Sequence, residues 1–141
     1  MDQMVAPAPT LKDLLAQVGL LLLKWGQVEG RMRGVVGAAK GLTAASRQGQ
    51  ELVKVWGKVA LAGAAGDARR RDEVSRVMQE LEELRPLRNL VCHGIQSASS
   101  EPFGGRPAGL HCWLNDEEEV VSWSDLDDAI RRLEGVAPGI R

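Results

Sequence analysis

The first quarter of the chain has the apolar spacing of a single long α-helix. Apolar residues recur there at alternating intervals of four and three, which is the period of one helical face. The positions on this face are Leu11, Leu15, Val18, Leu22, Trp25, Glu29, Met32 and Val36. Thr10 and Asp13 have the spacing of a capping box, in which each side chain satisfies a free N–H of the first turn. The sequence therefore predicts a helix from about residue 10, with Glu29 as the one carboxylate on its apolar face.

Shorter segments further along the chain repeat the helical period between glycines and prolines. We expect a second helix over residues 50–61 and a third over residues 67–84. Pro86 interrupts the pattern after Arg85, which fits either a kink or a new helix with proline in its first turn. We expect a short fourth helix to follow, through Leu87, Leu90, Val91 and Ile95. Ser124 and Asp127 have capping-box spacing and predict the start of a last helix, which Gly135 ends.

Between the fourth and last helices the sequence pattern is that of a loop and a hairpin. Residues 97–109 are rich in Ser, Gly and Pro and predict a loop, while residues 110–114 and 120–123 are mostly apolar and flank the polar residues 115–119. That arrangement is typical of a small β-hairpin. The chain is thus predicted to be all-α, a bundle of about five helices with a hairpin near residues 110–123. Residues 1–9 are expected to form a flexible arm, and residues 10–141 a single helical domain.

Composition excludes several classes of protein. The 141 residues hold 18 Lys and Arg against 19 Asp and Glu, a net charge of −1, so the chain is no histone-like polycation. Its two cysteines form no disulfide framework, which fits a reducing compartment. The longest apolar run is far shorter than the roughly 20 residues of a membrane span, and we see no secretory signal. We therefore expect a cytoplasmic protein that does not bind a membrane.

The segment with the most chemical content is Arg88-Asn89-Leu90-Val91-Cys92-His93, followed by Gly94. At about 100° per residue, Asn89 and His93 share a helical face one turn apart, and Arg88 lies about 140° from His93. The long side chain of Arg88 can still reach the same edge. The helix would therefore present a cation, an amide and an imidazole together.

This hexapeptide resembles the Arg-polar-x-x-x-His motif of the HEPN superfamily, the higher eukaryotes and prokaryotes nucleotide-binding domains. The order of elements is similar too, because members are small helical bundles that carry the motif on a late core helix. Helix one, with Trp25 four residues before Glu29, is similar to helices in some of these families. The resemblance implies a metal-independent endoribonuclease that needs no cofactor and cuts RNA by attack of the ribose 2′-hydroxyl. It also implies a homodimer with a composite site, and a role as a toxin or defence component, with an antitoxin or other protein partner.

The residue types suit that chemistry. His93 is expected to take the hydroxyl proton, since an imidazole titrates near neutral pH. Arg88 offers a planar fork of donors to the transition-state phosphate, and Asn89 is expected to orient the imidazole or hold a phosphate oxygen. One motif holds one histidine, so we expect two copies to meet through the fourth helix and supply the acid as well. Glu29 is expected to support the site by pairing with Arg88 or positioning it. Weaker candidates for substrate binding are Arg85, Arg69, Arg70 and Arg71.

Other interpretations of the sequence remain open. One is a catalytically inactive helical module that binds a nucleotide or a protein partner. Another is a purely structural homo-oligomer, in which Arg88 is buried in an ion pair with Glu29. The pair Arg106 and His111 repeats the Arg–His spacing, but within a loop, so we expect no site there. Cys92-His93 and His111-Cys112 are expected to hold no metal, because adjacent side chains diverge on a helix or strand.

Overall fold

A computed structural model describes residues 8–141 as a helical bundle with a small antiparallel sheet beside it. Within these residues the five helices are α1 (Leu11–Lys40), α2 (Leu42–Ala45), α3 (Gly49–Gly63), α4 (Ala68–His93) and α5 (Trp123–Val136). The strands are β1 (Ile95–Ser99), β2 (Gly109–Leu114) and β3 (Glu117–Val121), and a 3₁₀ turn follows α5 at Ala137–Gly139. The predicted all-α bundle with a small β element is confirmed. The expected arm over residues 1–9 lies, as far as residue 7, outside the described residues.

The four longer helices form a ring around one core. Helix α1 packs against α3 and α5, and α4 packs against the same two helices, so α1 and α4 are diagonal to each other. The largest fully buried side chains come from all four helices and the sheet: Trp56, Leu21, Met32, Leu52, Leu81, Leu110, Leu126 and Leu133. One shared core of this kind is what a domain of this length needs in order to fold.

Helix α1 begins as expected but turns a different face to the core. The capping box is present, with Thr10 Oγ1 accepting from the Asp13 N–H at 3.1 Å. Trp25, Met32 and Val36 are buried as predicted. In the first half of the helix, however, Leu14 and Leu21 are buried instead of Leu11, Leu15 and Leu22. Leucines surround this half of the helix, so spacing alone does not distinguish its faces. Within residues 8–141, no helix is long and apolar enough to cross a membrane.

The predicted third and fourth helices are one continuous helix, α4, so the expectation of a separate fourth helix after Pro86 is wrong. Asp67 caps it by accepting the Arg70 N–H at 3.0 Å, and Pro86 lies inside it with its ring exposed. Proline removes one i→i−4 hydrogen bond and favours a break. The helix continues because its buried row continues on both sides of the proline, through Leu84 before it and Leu90 after it.

The three-stranded sheet rests on the end of α4. Strand β2 is central and pairs antiparallel with both β1 and β3. Strands β2 and β3 are joined by Asn115 and Asp116, which have φ of 54° and 62°, so the predicted hairpin closes with a two-residue turn of the type I′ class. Strand β1 was not expected, because Ile95 was placed in a helix and residues 97–99 in a loop. It forms because its backbone pairs with the otherwise open edge of β2.

Two boundaries of the last helix differ from the prediction. Ser122 and Asp125, two residues earlier than expected, form its capping box, with reciprocal bonds of 2.9 and 3.1 Å. The pair Ser124 and Asp127 has the same spacing, so the sequence pattern fits either start. Gly135 does not end the helix, which runs to Val136 and continues into the 3₁₀ turn.

Candidate functional site

The motif occupies the last two turns of α4, directly before the chain enters the sheet. Leu90 and Val91 are buried and anchor this part of the helix, Arg88 and Asn89 are half-buried, and His93 is exposed. The sequence folds this way because the two apolar residues continue the core row while the polar residues fall on the opposite side. The chain therefore holds its polar motif at the surface on a rigid helix.

Gly94 joins the motif to the sheet at close range. Its N–H donates to the Leu90 carbonyl and its carbonyl accepts the Trp113 N–H, both at 2.8 Å. A Cβ at this position would lie 3.0 Å from the Leu90 oxygen and 3.2 Å from the Trp113 oxygen. Because a side chain there would crowd both backbones, glycine is the residue that allows strand β2 to hold the end of α4 beside His93.

Within the motif, Arg88 and Asn89 contact each other. The Arg88 Nη1 donates to the Asn89 Oδ1 at 3.4 Å, a long hydrogen bond between neighbouring residues. Among the described residues, Arg88 has no ion-pair partner within 4.0 Å. Most donors of its guanidinium are thus free to bind an anion from outside the chain.

Asn89 also lines a groove of about 360 Å³ between α4 and the β2–β3 turn. Arg85 lies on the same face of α4, one turn before Asn89, and its side chain is only 18% exposed. Its Nε is 3.6 Å from a carboxylate oxygen of Glu82 and makes no hydrogen bond. The groove walls carry three carboxylates: Glu82, Glu117 and Glu119. One cation among three carboxylates makes this groove unfavourable for a phosphate.

Glu29 is not brought to the motif. Its carboxylate, which is 14% exposed, pairs with Arg33 at 3.3 Å one turn along α1. Helix α1 is also diagonal to α4 in the bundle. The expected pairing of Glu29 with Arg88 is therefore replaced by an i,i+4 ion pair within α1, and the buried Arg88–Glu29 pair of the structural-oligomer hypothesis is not present.

The arginine run at residues 69–71 lies at the opposite end of α4 from the motif. Arg71 and Arg88 are 17 residues apart, which is about 25 Å along a helix. Arg70 contacts Glu73 and donates to the carbonyls of Gly139 and Arg141, both at 2.8 Å, so it fastens the C-terminal segment to α4. Arg69 and Arg71 are exposed. The run and the motif do not form one site within a single copy of the chain.

The second histidine has a structural environment. His111 lies on β2 rather than in a loop, and it is buried. Its Nδ1 is 3.2 Å from the Ser97 Oγ and its Nε2 is 3.0 Å from the Pro107 carbonyl. A neutral ring satisfies both contacts, with Nε2–H donating and Nδ1 accepting from the hydroxyl. Burial also raises the pKa of the neighbouring Cys112 thiol, which keeps that sulfur in its unreactive form.

Two apolar side chains beside the motif were not identified from the sequence. Ile95 is 38% exposed and Trp113 is 46% exposed, and both adjoin Gly94. Side chains of a strand alternate between its two faces, and in β2 Leu110 and Cys112 face inward. This alternation in the sequence would have placed Trp113 on the outer face. Among residues 8–141, no group of three or more His, Cys, Asp or Glu side chains is arranged to hold a metal ion.

Comparison of the chain with protein-family models, curated proteins and solved structures gave no match. The resemblance to the HEPN superfamily therefore depends on the Arg88–His93 motif and the order of helices in this chain alone.

Proposed function

We propose that this protein is a metal-independent endoribonuclease of the HEPN type, whose active site is formed by Arg88, Asn89 and His93. The observation that carries the proposal is the arrangement at the end of α4. A guanidinium with free donors contacts an amide there, and an exposed imidazole lies one turn further on. These are the groups that cleavage of RNA by its own 2′-hydroxyl requires.

In this proposal His93 is the general base. It removes the proton from the ribose 2′-hydroxyl, whose oxygen attacks the adjacent phosphorus and displaces the 5′-oxygen of the next nucleotide. Arg88 stabilises the negative charge that the phosphate gains in the transition state. Asn89 accepts a hydrogen bond from Arg88, which holds the guanidinium toward the surface that the substrate occupies. The exposure of His93 supports this role, because a base sealed in the core could not reach RNA.

The charges around the motif favour one side of α4 for RNA binding. The groove below Asn89 carries Glu82, Glu117 and Glu119 and repels a phosphate backbone. We therefore propose that the scissile phosphate binds on the outer side of α4, between Arg88 and His93. Arg85 lies within this groove and next to Glu82, so in this proposal it does not contact RNA.

The leaving 5′-oxygen needs a proton, and each copy of the motif supplies one imidazole. A second copy of the chain, related by a two-fold axis at the end of α4, provides the second histidine. The exposed Ile95 and Trp113 beside the motif support this arrangement, because a second copy would cover them. A cytoplasmic toxin or defence protein with an antitoxin partner would be the biological setting of such an enzyme.

The carboxylates of the groove favour a second candidate, a catalytically inactive module. In that case the groove between α4 and the β2–β3 turn receives a basic side chain from a protein partner, and Asn89 contributes a hydrogen bond. A nucleotide is a poorer ligand for the same groove, since its phosphates would meet three carboxylates.

RNA cleavage in the presence of a chelator separates the two candidates. Labelled RNA is incubated with the wild-type protein, His93→Ala, Arg88→Lys and the control Arg76→Ala, which changes an exposed arginine of α4 outside the motif. The nuclease proposal predicts cleavage by the wild type and Arg76→Ala, a loss of at least a hundredfold in His93→Ala, and a partial loss in Arg88→Lys. Absence of cleavage, or equal cleavage by His93→Ala and the wild type, supports the inactive module.

A further inference from the structure

A serine and a histidine meet on the outer face of the three-stranded sheet. In the ladder between β1 and β2, Ser97 lies directly opposite His111. A register shift between Ile95 and Ser97 marks a β-bulge at Gln96, and without this extra residue Gln96 would lie opposite the ring. Cys112 faces the core, so its neighbour His111 and the paired Ser97 face the other way. The bulge therefore brings a hydroxyl to the imidazole.

The ring of His111 is held from both sides in the orientation of a general base. Its Nδ1 is 3.2 Å from the Ser97 Oγ, and its Nε2 is 3.0 Å from the Pro107 carbonyl oxygen. Because a carbonyl oxygen only accepts hydrogen bonds, Nε2 carries the ring proton and Nδ1 accepts from the serine hydroxyl. A hydroxyl bonded to a base, with the base oriented by a third group, is the arrangement of an activated nucleophile. Ser97 is exposed and the ring is 7% exposed, so a substrate can reach the hydroxyl while the base stays shielded.

The connection between β1 and β2 fixes the third group. Phe103 and Arg106 exchange backbone hydrogen bonds of 2.9 and 3.0 Å around two glycines, and Pro107 follows directly. Arg106 also pairs with Glu118 of β3 at 2.8 Å, so the connection is tied to the outer face of the sheet. These contacts hold the Pro107 carbonyl on the His111 Nε2. The dipole of that carbonyl stabilises the positive charge that the ring acquires when it accepts a proton.

Ser97 and His111 line a groove of about 390 Å³, which is large enough for a small organic molecule. Trp113, which is 46% exposed, provides an apolar wall for such a molecule. The side chains of Gln96 and Arg106 bring N–H donors to the same groove. Donors of this kind stabilise the negative charge that a carbonyl oxygen gains when a nucleophile attacks its carbon.

We infer that Ser97, His111 and the Pro107 carbonyl form a second site, which hydrolyses small carboxylic esters through an acyl-serine. The Ser97 Oγ forms a bond to the ester carbonyl carbon while its proton passes to the His111 Nδ1. The bond from that carbon to the alcohol oxygen then breaks, and the departing oxygen takes the proton from Nδ1. A water molecule next gives a proton to His111 and attacks the acyl group. The carboxylic acid leaves, and the proton returns to the Ser97 oxygen.

The neutral third group indicates which substrates react. A backbone carbonyl stabilises the protonated ring less than a carboxylate would, because it carries no full charge. The site therefore favours a leaving group that departs readily, such as the phenol of an aryl ester, over the amine of an amide. This activity goes beyond the proposed nuclease and uses the other histidine. Its tests need no RNA, so they succeed or fail independently of the proposed function.

Labelling with a fluorophosphonate tests the nucleophile, because this reagent reacts with activated serine hydroxyls. Peptide mass spectrometry of the wild-type protein should place the label on Ser97, at a rate about a hundredfold above that of any other serine. Ser97→Ala should remain unlabelled at the same probe concentration. Ser100→Ala, which changes an exposed serine directly after β1, should be labelled like the wild type. An unlabelled wild type, or labelling that persists in Ser97→Ala, would overturn the inference.

Hydrolysis of p-nitrophenyl acetate tests the base. Glutamine at position 111 keeps an N–H donor and an oxygen acceptor but is no base, so His111→Gln should lower the rate of p-nitrophenol release at least about tenfold with unchanged circular dichroism. Ser97→Ala should lower this rate as much, and Ser100→Ala should leave it unchanged. If His111→Gln does not fold, the exposed Ser97→Ala substitution decides the question by itself. Equal release by Ser97→Ala and the wild type would contradict the inference.

Discussion

Substituting Gly109 by alanine should destabilise the protein more than the same change at any other glycine with positive φ in residues 8–141. Gly109 begins β2 with a φ of +143°, a conformation that residues with a side chain rarely adopt. A Cβ there would overlap the Val121 carbonyl oxygen of the paired strand and would lie 3.1 Å from the Val120 Cγ1. Val120 and Val121 both belong to the strand that pairs with β2, so the overlap cannot be removed by rotating a flexible side chain.

The magnitude follows from two contributions. Backbone strain of this kind costs about 1–3 kcal/mol, and displacing β3 weakens ladder hydrogen bonds by about 1 kcal/mol more. We therefore expect Gly109→Ala to lower the free energy of unfolding by about 3 kcal/mol. With an unfolding entropy of about 2.1 cal/mol/K per residue, this corresponds to a fall in Tm of roughly 10 °C for a chain of this length.

Gly66→Ala provides the matched control. Gly66 also has positive φ, +83°, but a Cβ there would meet no atom within 4 Å. Replacing Gly66 by alanine should lower the free energy of unfolding by only about 1 kcal/mol, which corresponds to a fall in Tm of roughly 3 °C. Thermal unfolding of the three proteins, followed by circular dichroism, measures both shifts. Equal falls in Tm in the two variants would refute the contribution of the Val121 contact. A Gly109→Ala protein whose Tm lies within about 1 °C of the wild-type Tm would refute it as well.

Three further predictions concern the ends of α4 and the cysteines. Arg70→Ala should lower the free energy of unfolding by about 1–2 kcal/mol in urea titrations, because Arg70 binds two C-terminal carbonyls, whereas the exposed Arg71→Ala should change it little. The hydrogen bond from the Arg70 guanidinium lowers the pKa of Glu73, so the stability this carboxylate contributes is present at neutral pH and is lost as the pH falls through and below the ordinary glutamate range. Glu73→Gln should flatten that decline. A maleimide should label Cys92 in the folded protein, and Cys112 only after unfolding.

The sequence predicted the elements whose signals are local. The capping box of Thr10 and Asp13 depends on two residues three apart, and it begins α1 as expected. The buried rows of α3 and α4, with Trp56 and Leu81, follow from helical spacing in segments where the other faces are polar. In such segments only one face can be buried, so the periodicity determines the packing.

Elsewhere the outcome depends on contacts that no local pattern contains. Helix α1 has leucines on several faces, and the positions of α3 and α5 select Leu14 and Leu21 for the core. Pro86 is tolerated because the core holds the turns on both sides of it. Strand β1 needs the edge of β2, whose paired residues lie 10 to 17 positions further along the chain.

The candidate site was predictable in part. Within the hexapeptide, Asn89 and His93 were predicted to share a helical face, and α4 extends through both. The partner of Glu29 was not predictable, because Arg33, one turn away, is reached more easily than Arg88 on a helix across the bundle. Two of the three carboxylates in the groove, Glu117 and Glu119, come from β3, so most of the acidic character of the groove emerges only from the tertiary structure.

The chemical identity of the RNA ends tests the central claim most directly. Attack by the neighbouring ribose oxygen leaves a 2′,3′-cyclic phosphate on one fragment and a free 5′-hydroxyl on the other. Mass spectrometry of the fragments produced by the wild-type protein should detect both ends, and an RNA with deoxyribose at the cleaved position should stay intact. Fragments ending in a 3′-hydroxyl, or cutting that persists at the deoxyribose, would contradict the roles assigned to Arg88 and His93.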